Sequence, residues 1–386
     1  MAIHVHIWLG RFTLVGVLAA AGTVSSACAG GYALVRRDPP STHELSWFAP
    51  AAAPDRRRLE RWAVGVGPPY VRAALPRLPI ADCMLVVSWN TAVGDADVVE
   101  LVRRLRVANG TDILLVLLLQ ETYRRGSDVP STLPAAASFA GQLGHRAATL
   151  KTRDIASIAE ATQLGAYYVP SMRNGGAESN EDRGNAILSS LPLTDVSAIE
   201  LPFEGQRRVA VAATVAGATS TGTRWSLRVV SAHLDNMVGP RRLWFAGGEY
   251  ARARQARALV SFLADADAAV LGGDFNTWFG FGDLAYTEMA LAFPGSRPRD
   301  PRPTFRNLLR LDHVFFRLPP GWQADVRRGN ERLGSDHYPL ISTVRTASTT
   351  CAIRDSDVAG HSSEYLAPRR GEPRRLVVGP PLIEWI

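Results

Sequence analysis

The sequence predicts an α/β domain whose reactive side chains collect at the ends of strands. Short apolar runs that are typical of buried strands stop at polar or charged residues. Amphipathic segments with helical spacing separate several of these runs. One such helix, over residues 249–264, leads directly into the apolar run 269–271, which gives a β-α-β succession. We therefore expect sheets that are covered by helices.

The run 269–271 ends at two glycines followed by Asp274 and Asn276. Gly272 and Gly273 leave room for another group to approach the backbone and permit positive φ. Asp274 and Asn276, at i and i+2, share one face of an extended chain. A carboxylate beside an amide suits a metal-dependent phosphoesterase. The same residues also form ordinary turns after strands, so the rest of the chain has to decide between the two interpretations.

Five other predicted strands also carry polar residues at one end. Taken alone, each of these residues is an ordinary loop residue or a structural histidine, but one shared site explains all of them together. The full set is Asn90, Glu121, His233, Asp274 with Asn276, Asp312, and Asp336 with His337. Oxygen donors dominate the set and cysteine is absent from it, which favours Mg²⁺, Mn²⁺ or Ca²⁺ over structural zinc.

Three helices are predicted besides the one over residues 249–264. Asp97 opens the first, because Glu100 three residues later completes a capping-box pattern. Residues 155–164 and 284–292 have helical spacing of their apolar positions. Residues 208–215 and 225–232 are predicted to be neighbouring strands joined by a turn of Gly, Thr and Ser.

The net charge of +7 comes from 43 Lys and Arg against 36 Asp and Glu. An excess of this kind suggests a polyanionic partner, but Lys151 is the only lysine, and an arginine bias of the whole chain explains the excess equally well. Three arginine pairs lie close to the strand-end motifs, where they could meet phosphates. They are Arg124-Arg125, Arg207-Arg208 and Arg241-Arg242.

The two ends of the chain differ in composition from its middle. Residues 1–30 hold a short apolar segment followed by small residues, which predicts an export signal or a membrane anchor. Residues 31–80 are dense in proline, which predicts a linker with at most one short helix. Residues 346–386 are interpreted as a flexible tail, so that 81–345 form the single domain.

We also expect a disulfide between Cys83 and Cys351. The chain has three cysteines, and Cys28 lies at or before the expected cleavage point. An exported domain would keep the other two in an oxidising compartment. Both flank predicted strands at the edge opposite the site.

The order of the motifs, from about residue 85 to residue 344, resembles the endonuclease/exonuclease/phosphatase superfamily of Mg²⁺-dependent phosphoesterases. Its members include pancreatic-type DNase, abasic-site endonucleases, bacterial sphingomyelinases and inositol-polyphosphate 5-phosphatases. One position departs from the pattern, because Asn90-Thr91-Ala92 lacks the second polar group that many members have. The matching motifs are Ser88-Trp89-Asn90, Gln120-Glu121, Arg183-Gly184-Asn185-Ala186-Ile187-Leu188-Ser189, Ser231-Ala232-His233-Leu234, Gly273-Asp274-Phe275-Asn276, Leu311-Asp312-His313-Val314 and Ser335-Asp336-His337-Tyr338-Pro339-Leu340.

The resemblance implies a DNase-I-like α/β fold, a four-layered sandwich of two β-sheets packed face to face with helices outside. It implies that Asn90, Glu121 and Asp336 hold Mg²⁺ or Mn²⁺. Asp274 would orient and deprotonate the attacking water, and Asn276 would position water and phosphate. His337, held by Asp312, and His233 would stabilise charge on the phosphate. Arg183 and Asn185 would contact the substrate.

Three hypotheses for the function follow from the sequence. The first is an exported, divalent-metal-dependent phosphoesterase acting on nucleic acid, which the arginine pairs favour. The second is a hydrolase of lipid or inositol headgroups, because the aromatic segment 278–281 could enter a bilayer interface. The third is a binding module that has kept the fold and lost catalysis. We expect a monomer, which either is secreted or associates with the membrane through its N-terminus.

Overall fold

The structure, a computed structural model, describes residues 31–37, 45–74, 79–80, 82–132, 148–175, 179–236, 248–294, 296 and 300–346. The strands are β1 (Leu34–Arg37), β2 (Ser46–Pro50), β3 (Tyr70–Arg72), β4 (Cys83–Asn90), β5 (Leu115–Arg125), β6 (Gly165–Asn174), β7 (Glu181–Ser189), β8 (Thr194–Glu200), β9 (Val209–Ala218), β10 (Arg224–His233), β11 (Ala269–Asp274), β12 (Asp312–Arg317), β13 (Gln323–Arg328) and β14 (Leu340–Arg345). The helices are α1 (Ala53–Ala63), α2 (Val98–Asn109), α3 (Ile155–Thr162), α4 (Gly248–Phe262) and α5 (Leu284–Ala292), with a 3₁₀ turn at Gly280–Gly282.

The described strands form two seven-stranded sheets that pack face to face. Sheet A has the order β1-β2-β8-β9-β10-β11-β12, and sheet B has the order β13-β14-β4-β5-β7-β6-β3. Helices α2 and α3 cover the outer face of sheet B, and α4 and α5 cover that of sheet A. The four-layered sandwich predicted from the family resemblance is therefore confirmed.

The central strands are apolar on both faces because each sheet is buried between the other sheet and a helix layer. On β4, Val86 faces the other sheet, whereas Leu85 and Val87 face the helices. On β11, Val270 faces sheet B and Leu271 faces the helices. This alternation decides which residues at the strand ends point into the space between the sheets.

Gly272 is needed where the two sheets approach each other most closely on β11. A Cβ at this position would lie 2.8 Å from Leu118 Cδ1 and 2.9 Å from Ser88 Cβ, both on sheet B. At Gly273 a Cβ would lie 2.1 Å from the carbonyl oxygen of Ala232. Neither glycine has positive φ. Close approach, and not backbone conformation, is therefore what these two positions require.

Gly272→Ala is expected to lower the free energy of unfolding by about 1–3 kcal/mol, because the added methyl group overpacks the space between the sheets. Urea denaturation measures the change. Gly282→Ala is the matched control, since a Cβ at Gly282 meets no atom within 4 Å. Equal stability of the two variants would show that sheet contact does not require Gly272.

The predicted helices are present, with ends shifted by one or two residues. The side chain of Asp97 accepts a hydrogen bond from the Glu100 N–H and begins α2, as the capping pattern predicted. Helix α3 ends at Gln163, whose left-handed φ of 56° closes the helix. Helix α5 has the predicted bounds.

The prediction that residues 31–80 form a linker is wrong for the described part of that range. Strands β1 and β2 extend sheet A beyond β8, and β3 extends sheet B beyond β6. Helix α1 lies between them, with Leu59 and Trp62 buried. Prolines are compatible with this structure because Pro54 occupies the first turn of α1 and Pro50 ends β2.

Several sequence predictions lie outside the described residues. They concern the export signal or anchor over residues 1–30, the tail from residue 347 onward, and Cys351. Cys83 is disulfide-bonded, but its predicted partner Cys351 is among the residues not described. Within the described ranges, no helix is both long and apolar enough to cross a membrane.

Candidate active site

Three neighbouring strands of sheet A place His233, Asp274 and Asp312 side by side. β10 pairs with β11 so that His233 lies opposite Asp274, and β11 pairs with β12 so that Asp274 lies opposite Asp312. Each of the three continues the inward-facing stripe of its strand. His233 and Asp274 lie four residues after Val229 and Val270, and Asp312 lies two residues before Val314. The core between the sheets therefore turns from apolar to ionisable at this edge.

Sheet B supplies Asn90 and Glu121 to the same edge. Asn90 lies four residues after the inward-facing Val86 on β4 and therefore points to the same side of the sheet. It pairs with Gln120 on the parallel strand β5. Next to Gln120, the pairing of β5 with β7 is interrupted between Leu119 and Thr122, and Glu121 has a φ of 50°. Such a bulge re-aims a side chain, and the Glu121 carboxylate lies 3.9 Å from Nδ1 of His233.

Asp274 lies at the centre of the site. Its Oδ2 accepts a hydrogen bond from Asn90 Nδ2 at 2.9 Å, and its Oδ1 accepts one from the Asn276 N–H at 3.0 Å. Burial raises the pKa of Asp274 to about 7, with His337 opposing the shift and Asp312 adding to it. A carboxylate whose pKa lies near neutrality can both accept and return a proton.

His337 is held by Asp312 and carries a proton on both nitrogens. Its Nδ1 donates to Asp312 Oδ2 at 2.8 Å, and its Nε2 lies 3.7 Å from Asp274 Oδ2. Burial lowers the pKa of His337, but the carboxylates of Asp312 and Asp274 outweigh it and raise the pKa to about 10. The imidazolium is therefore a buried positive charge beside the central carboxylate.

His233 is the neutral histidine of the pair. Burial, reinforced by the charges of Arg208 and His337, lowers its pKa well below the usual value of 6.5. Asn276 Nδ2 lies 3.0 Å from His233 Nε2 and donates to it, which leaves the His233 proton on Nδ1. The two histidines thus have different charges, because carboxylates outweigh burial at His337, whereas burial and nearby cations act together at His233.

The donor set fits a hard divalent cation. Asn90, Glu121 and Asp336 offer one amide and two carboxylate groups, with no thiolate. In the part of the chain that the structure describes, no hydrogen bond donor reaches the half-buried Glu121 carboxylate. The Asp336 carboxylate reaches Arg306 at 3.3 Å and Nε2 of His337 at 4.0 Å. Asp274, Asp312 and His337 also place one ligand atom each within 4.8 Å of one another.

The sequence profile of the Endonuclease/Exonuclease/phosphatase family matches residues 87–337, which is more than half of the chain. The chain belongs to this family. No curated protein matches it significantly.

Solved structures of the endonuclease/exonuclease/phosphatase type resemble the chain at low identity. An endonuclease/exonuclease/phosphatase from Beutenbergia cavernae DSM 12333 is 18% identical with a TM-score of 0.47, over 69% of this chain and 72% of that one. A 3'-5' exonuclease from Neisseria meningitidis is 20% identical with a TM-score of 0.41, over 67% of this chain and 98% of that one. A Neisseria 3' phosphatase bound to a product DNA hairpin is 18% identical with a TM-score of 0.43, over 67% of this chain and 98% of that one.

The departure from the family pattern at Ala92 has a structural counterpart. Ala92 has no polar side chain, but its backbone N–H donates to Asn90 Oδ1 at 2.9 Å. Ala92, Val93 and Gly94 all have left-handed φ values, of 50°, 58° and 76°. The turn itself therefore holds the Asn90 amide in the orientation in which its Nδ2 reaches Asp274.

Asn185 and Arg183 lie on the same face of β7, near the site but with different surroundings. Asn185 is buried, and its Nδ2 donates to the Val209 carbonyl of sheet A at 2.7 Å, which ties the two sheets together. Its Oδ1 has no hydrogen bond partner among the described residues. Arg183 is half-buried and contributes to the lowered pKa of His233. A role of either residue in substrate binding stays a prediction.

Arg208 belongs to the site although the sequence indicated it only as one of the arginine pairs. Its Nη2 donates to Asn236 Oδ1 at 3.0 Å, and its Nε has no partner among the described residues. Burial lowers its pKa, while Asp235 and Glu121 act in the opposite direction. Its chemistry is typical of an anion-binding group.

Two of the other paired arginines, Arg207 and Arg124, serve the fold. Arg207 is buried against Glu200 and the carbonyls of Pro170 and Ser171. Arg124 donates to the Pro68 carbonyl and to Asp128. Arg125 is exposed, and Arg241-Arg242 lies outside the described residues.

Thr304 and Phe305 also contact Asp312 and His337, and no motif in the sequence indicated them. The Thr304 hydroxyl accepts the Asp312 N–H at 3.1 Å, and its carbonyl accepts the Tyr338 N–H at 2.8 Å. The Phe305 ring lies 4.9 Å from the His337 ring. These two residues fix Asp312 and His337 relative to each other.

Proposed function

We propose that the chain is an exported, divalent-metal-dependent phosphoesterase that hydrolyses a phosphate ester, with nucleic acid as its substrate. The observation that carries this proposal is the position of Asp274, between the Asn90 amide at 2.9 Å and the His337 imidazolium at 3.7 Å. A proton acceptor, a positive charge and a set of hard oxygen donors lie together at one edge of the two sheets. These are the requirements of phosphoryl transfer to water.

Mg²⁺ or Mn²⁺ would be held by Asn90, Glu121 and Asp336 and would neutralise charge on a phosphoryl oxygen. The remaining chemistry belongs to the chain itself. Asp274 accepts the proton of the attacking water, and its orientation is fixed by hydrogen bonds from Asn90 and from the Asn276 N–H. Proton acceptance near neutral pH agrees with a pKa of about 7.

His337 and His233 stabilise the phosphate in different ways. The His337 imidazolium offers a full positive charge and an Nε2–H donor toward the developing negative charge. His233 is neutral, so it offers only a hydrogen bond to a non-bridging oxygen. Asp312 keeps Nδ1 of His337 protonated and therefore holds the ring in its donating form.

Nucleic acid is favoured as the substrate by the basic residues beside the catalytic group. Arg183 and Arg208 both act electrostatically on His233, and Arg208 is buried with an Nε that no described residue binds. Cations in this position contact phosphate groups irrespective of base sequence. Export is proposed from the apolar segment of residues 1–30, and fusion of that segment to a periplasmic or secreted reporter tests it.

A lipid headgroup is the second candidate substrate, because two aromatic side chains close to Asn276 are exposed. Phe279 is 54% exposed and Phe281 is 43% exposed. The Phe281 ring also packs on Tyr286 at 5.0 Å, so part of the segment is anchored to α5. Exposed aromatic groups of this kind favour membrane interfaces.

The deciding assay measures hydrolysis of plasmid DNA, RNA, sphingomyelin vesicles and a phosphoinositide in parallel, each incubated with the full chain and Mg²⁺. Hydrolysis of DNA or RNA at a rate well above that of the lipids is expected. Hydrolysis of lipids alone would support the second candidate. If none of the four substrates were hydrolysed in a metal-dependent way, the proposed function would be contradicted.

Glu121→Gln is expected to weaken Mg²⁺ binding much more than substrate binding, because an amide replaces the strongest anionic donor of the set. The Mg²⁺ concentration for half-maximal rate should rise about ten-fold or more, and higher Mg²⁺ should partly restore the rate. A metal titration of activity measures this. A rate defect that is independent of the metal concentration would show that Glu121 is not a metal ligand.

A further inference from the structure

A concave feature lies close to the candidate metal-binding residues. It is a cleft of about 1220 Å³ whose lining includes Asp95, Tyr123, Arg125, Lys151, Arg153 and Gly334. Nothing in the mechanism above uses this cleft.

The cleft is built from the chain segments that carry the candidate metal-binding residues. Tyr123 is two residues beyond Glu121, and Gly334 is two residues before Asp336. Asp95, on the third segment, is five residues beyond Asn90. A long substrate that binds at the metal-binding residues would therefore have the cleft next to it.

The loop 148–154, which forms the outer wall, is held firmly against the turn after β4. The Arg153 N–H donates to the Gly94 carbonyl at 2.9 Å. The hydroxyl groups of Thr149 and Thr152 donate to Asp95 Oδ1 at 3.1 Å and 2.7 Å. The wall is thus preorganised before any ligand binds, which lowers the cost of binding.

The carboxylates of the lining are occupied within the fold. Asp95 binds the two threonine hydroxyls, Asp97 caps α2, and Asp154 accepts the N–H groups of Ala156 and Arg125 at 2.7 Å each. Glu100 binds Arg103 and Arg104 at 2.7 Å, and these hydrogen bonds lower its pKa to about 2. Arg103 and Arg104 compensate the charge of Glu100, whereas the neutral donors hold Asp95 and Asp154 in fixed positions within the fold.

The positively charged side chains of the lining form fewer interactions within the fold than the carboxylates do. Arg125 and Lys151 are exposed, and neither forms a salt bridge within the described ranges. Arg125 Nε contacts only the neutral side chain of Asn180, at 3.3 Å. Arg153 lies 3.8 Å from Asp97. Two exposed positive groups beside a hydrogen-bonded wall are suited to phosphate groups at the protein surface.

We propose that this cleft binds the phosphate backbone of a nucleic acid strand on one side of the cleaved ester, through Arg125 and Lys151. The proposal rests on the proposed function and extends it, because it makes the enzyme dependent on substrate length. A strand that occupies both the catalytic centre and the cleft gains contacts that a short diester lacks. These contacts are to the backbone and carry no base specificity.

The test compares Lys151→Ala, Arg125→Ala and the charge-preserving Lys151→Arg with the full-length wild-type chain. Arg224→Ala is the control, since Arg224 is an exposed arginine at the far end of β10. Fluorescence anisotropy measures binding of a labelled 12-nucleotide DNA strand in EDTA over a range of salt concentrations. Hydrolysis of bis(p-nitrophenyl) phosphate with Mg²⁺ reports separately on the catalytic centre.

Each alanine variant in the cleft is expected to raise the Kd for the 12-mer about ten-fold. The slope of log K against log salt should fall by about 0.7 for each lost phosphate contact to a single strand. Lys151→Arg and Arg224→Ala should match the wild type, and the kcat for the short diester should stay within two-fold in all variants. Because Lys151 is the only lysine, the 12-mer should also slow its acetylation by an amine-specific reagent.

Unchanged affinity and unchanged salt slope in both alanine variants would overturn the proposal, whatever the short diester shows. The proposal would also be overturned if the wild type bound anionic phosphatidylglycerol vesicles but not the 12-mer, and if the alanine variants lost that vesicle binding. Failure of the wild type to hydrolyse the short diester or any other ester would instead contradict the proposed function. The anisotropy result would still decide whether the cleft binds nucleic acid.

Discussion

Asp274→Asn is expected to lower kcat by a factor of at least about 10² to 10³ while the protein stays folded. The amide keeps the shape of the side chain but cannot accept a proton from water, and it loses the charge that faces His337. At position 274 the side chain lies at the end of β11, where its carboxylate binds the Asn90 amide and the Asn276 N–H and faces His337. Steady-state hydrolysis and thermal unfolding measure the two effects.

Asp267→Asn is the control, because Asp267 is an exposed residue just before the start of the same strand. His337→Ala is expected to act like Asp274→Asn, since it removes the buried positive charge from the site. Full activity in Asp274→Asn would end the proposed mechanism. Loss of activity together with loss of cooperative unfolding would show only that the variant fails to fold.

The residues of the candidate site could be located from the sequence because they continue the pattern of the core. Val86, Ser88 and Asn90 occupy alternate positions of one strand, so the residue after the apolar run faces the same way as the run. His233 and Asp274 follow the same rule on adjacent strands. Strand periodicity and strand ends are local features, and a sequence shows them directly.

Other parts of the site could not be predicted because they depend on contacts across the fold. Arg207 and Arg208 are adjacent, yet Arg207 is bound to Glu200 and Arg208 faces the catalytic residues. No local pattern distinguishes the two. In the same way, Thr304 binds Asp312 only because β12 returns beside the loop that holds Thr304.

For residues 31–80, proline density alone gives the wrong prediction of a linker. The prolines stand at positions that regular structure tolerates. Pro54 lies in the first turn of α1, and Pro68 and Pro69 directly precede β3. Proline at such positions removes no hydrogen bond of a helix or a sheet. Position within the element, more than the number of prolines, is the informative quantity.

The segment also braces the strands of the active site. The Gly67 N–H donates to Asp182 Oδ2 at 2.7 Å, and the Pro68 carbonyl accepts a hydrogen bond from Arg124. Asp182 precedes Arg183 on β7, and Arg124 is three residues beyond Glu121 on β5. The two strands that carry these site residues pair directly in sheet B, and residues 67 and 68, just beyond the end of α1, add a further tie between them.

Trp62→Ala is accordingly expected to lower the free energy of unfolding by about 3–5 kcal/mol, the usual cost of truncating a fully buried aromatic side chain. Trp62 is 2% exposed and packs against Met172 of β6 and against Phe203, whose ring centroid lies 6.0 Å away. Denaturant unfolding of the full chain measures the loss, with Arg57→Ala on the exposed face of α1 as the control. A solvated linker would give a loss below about 0.5 kcal/mol. A loss that small would mean that α1 does not dock on the sandwich, and the brace between β5 and β7 would then have no support.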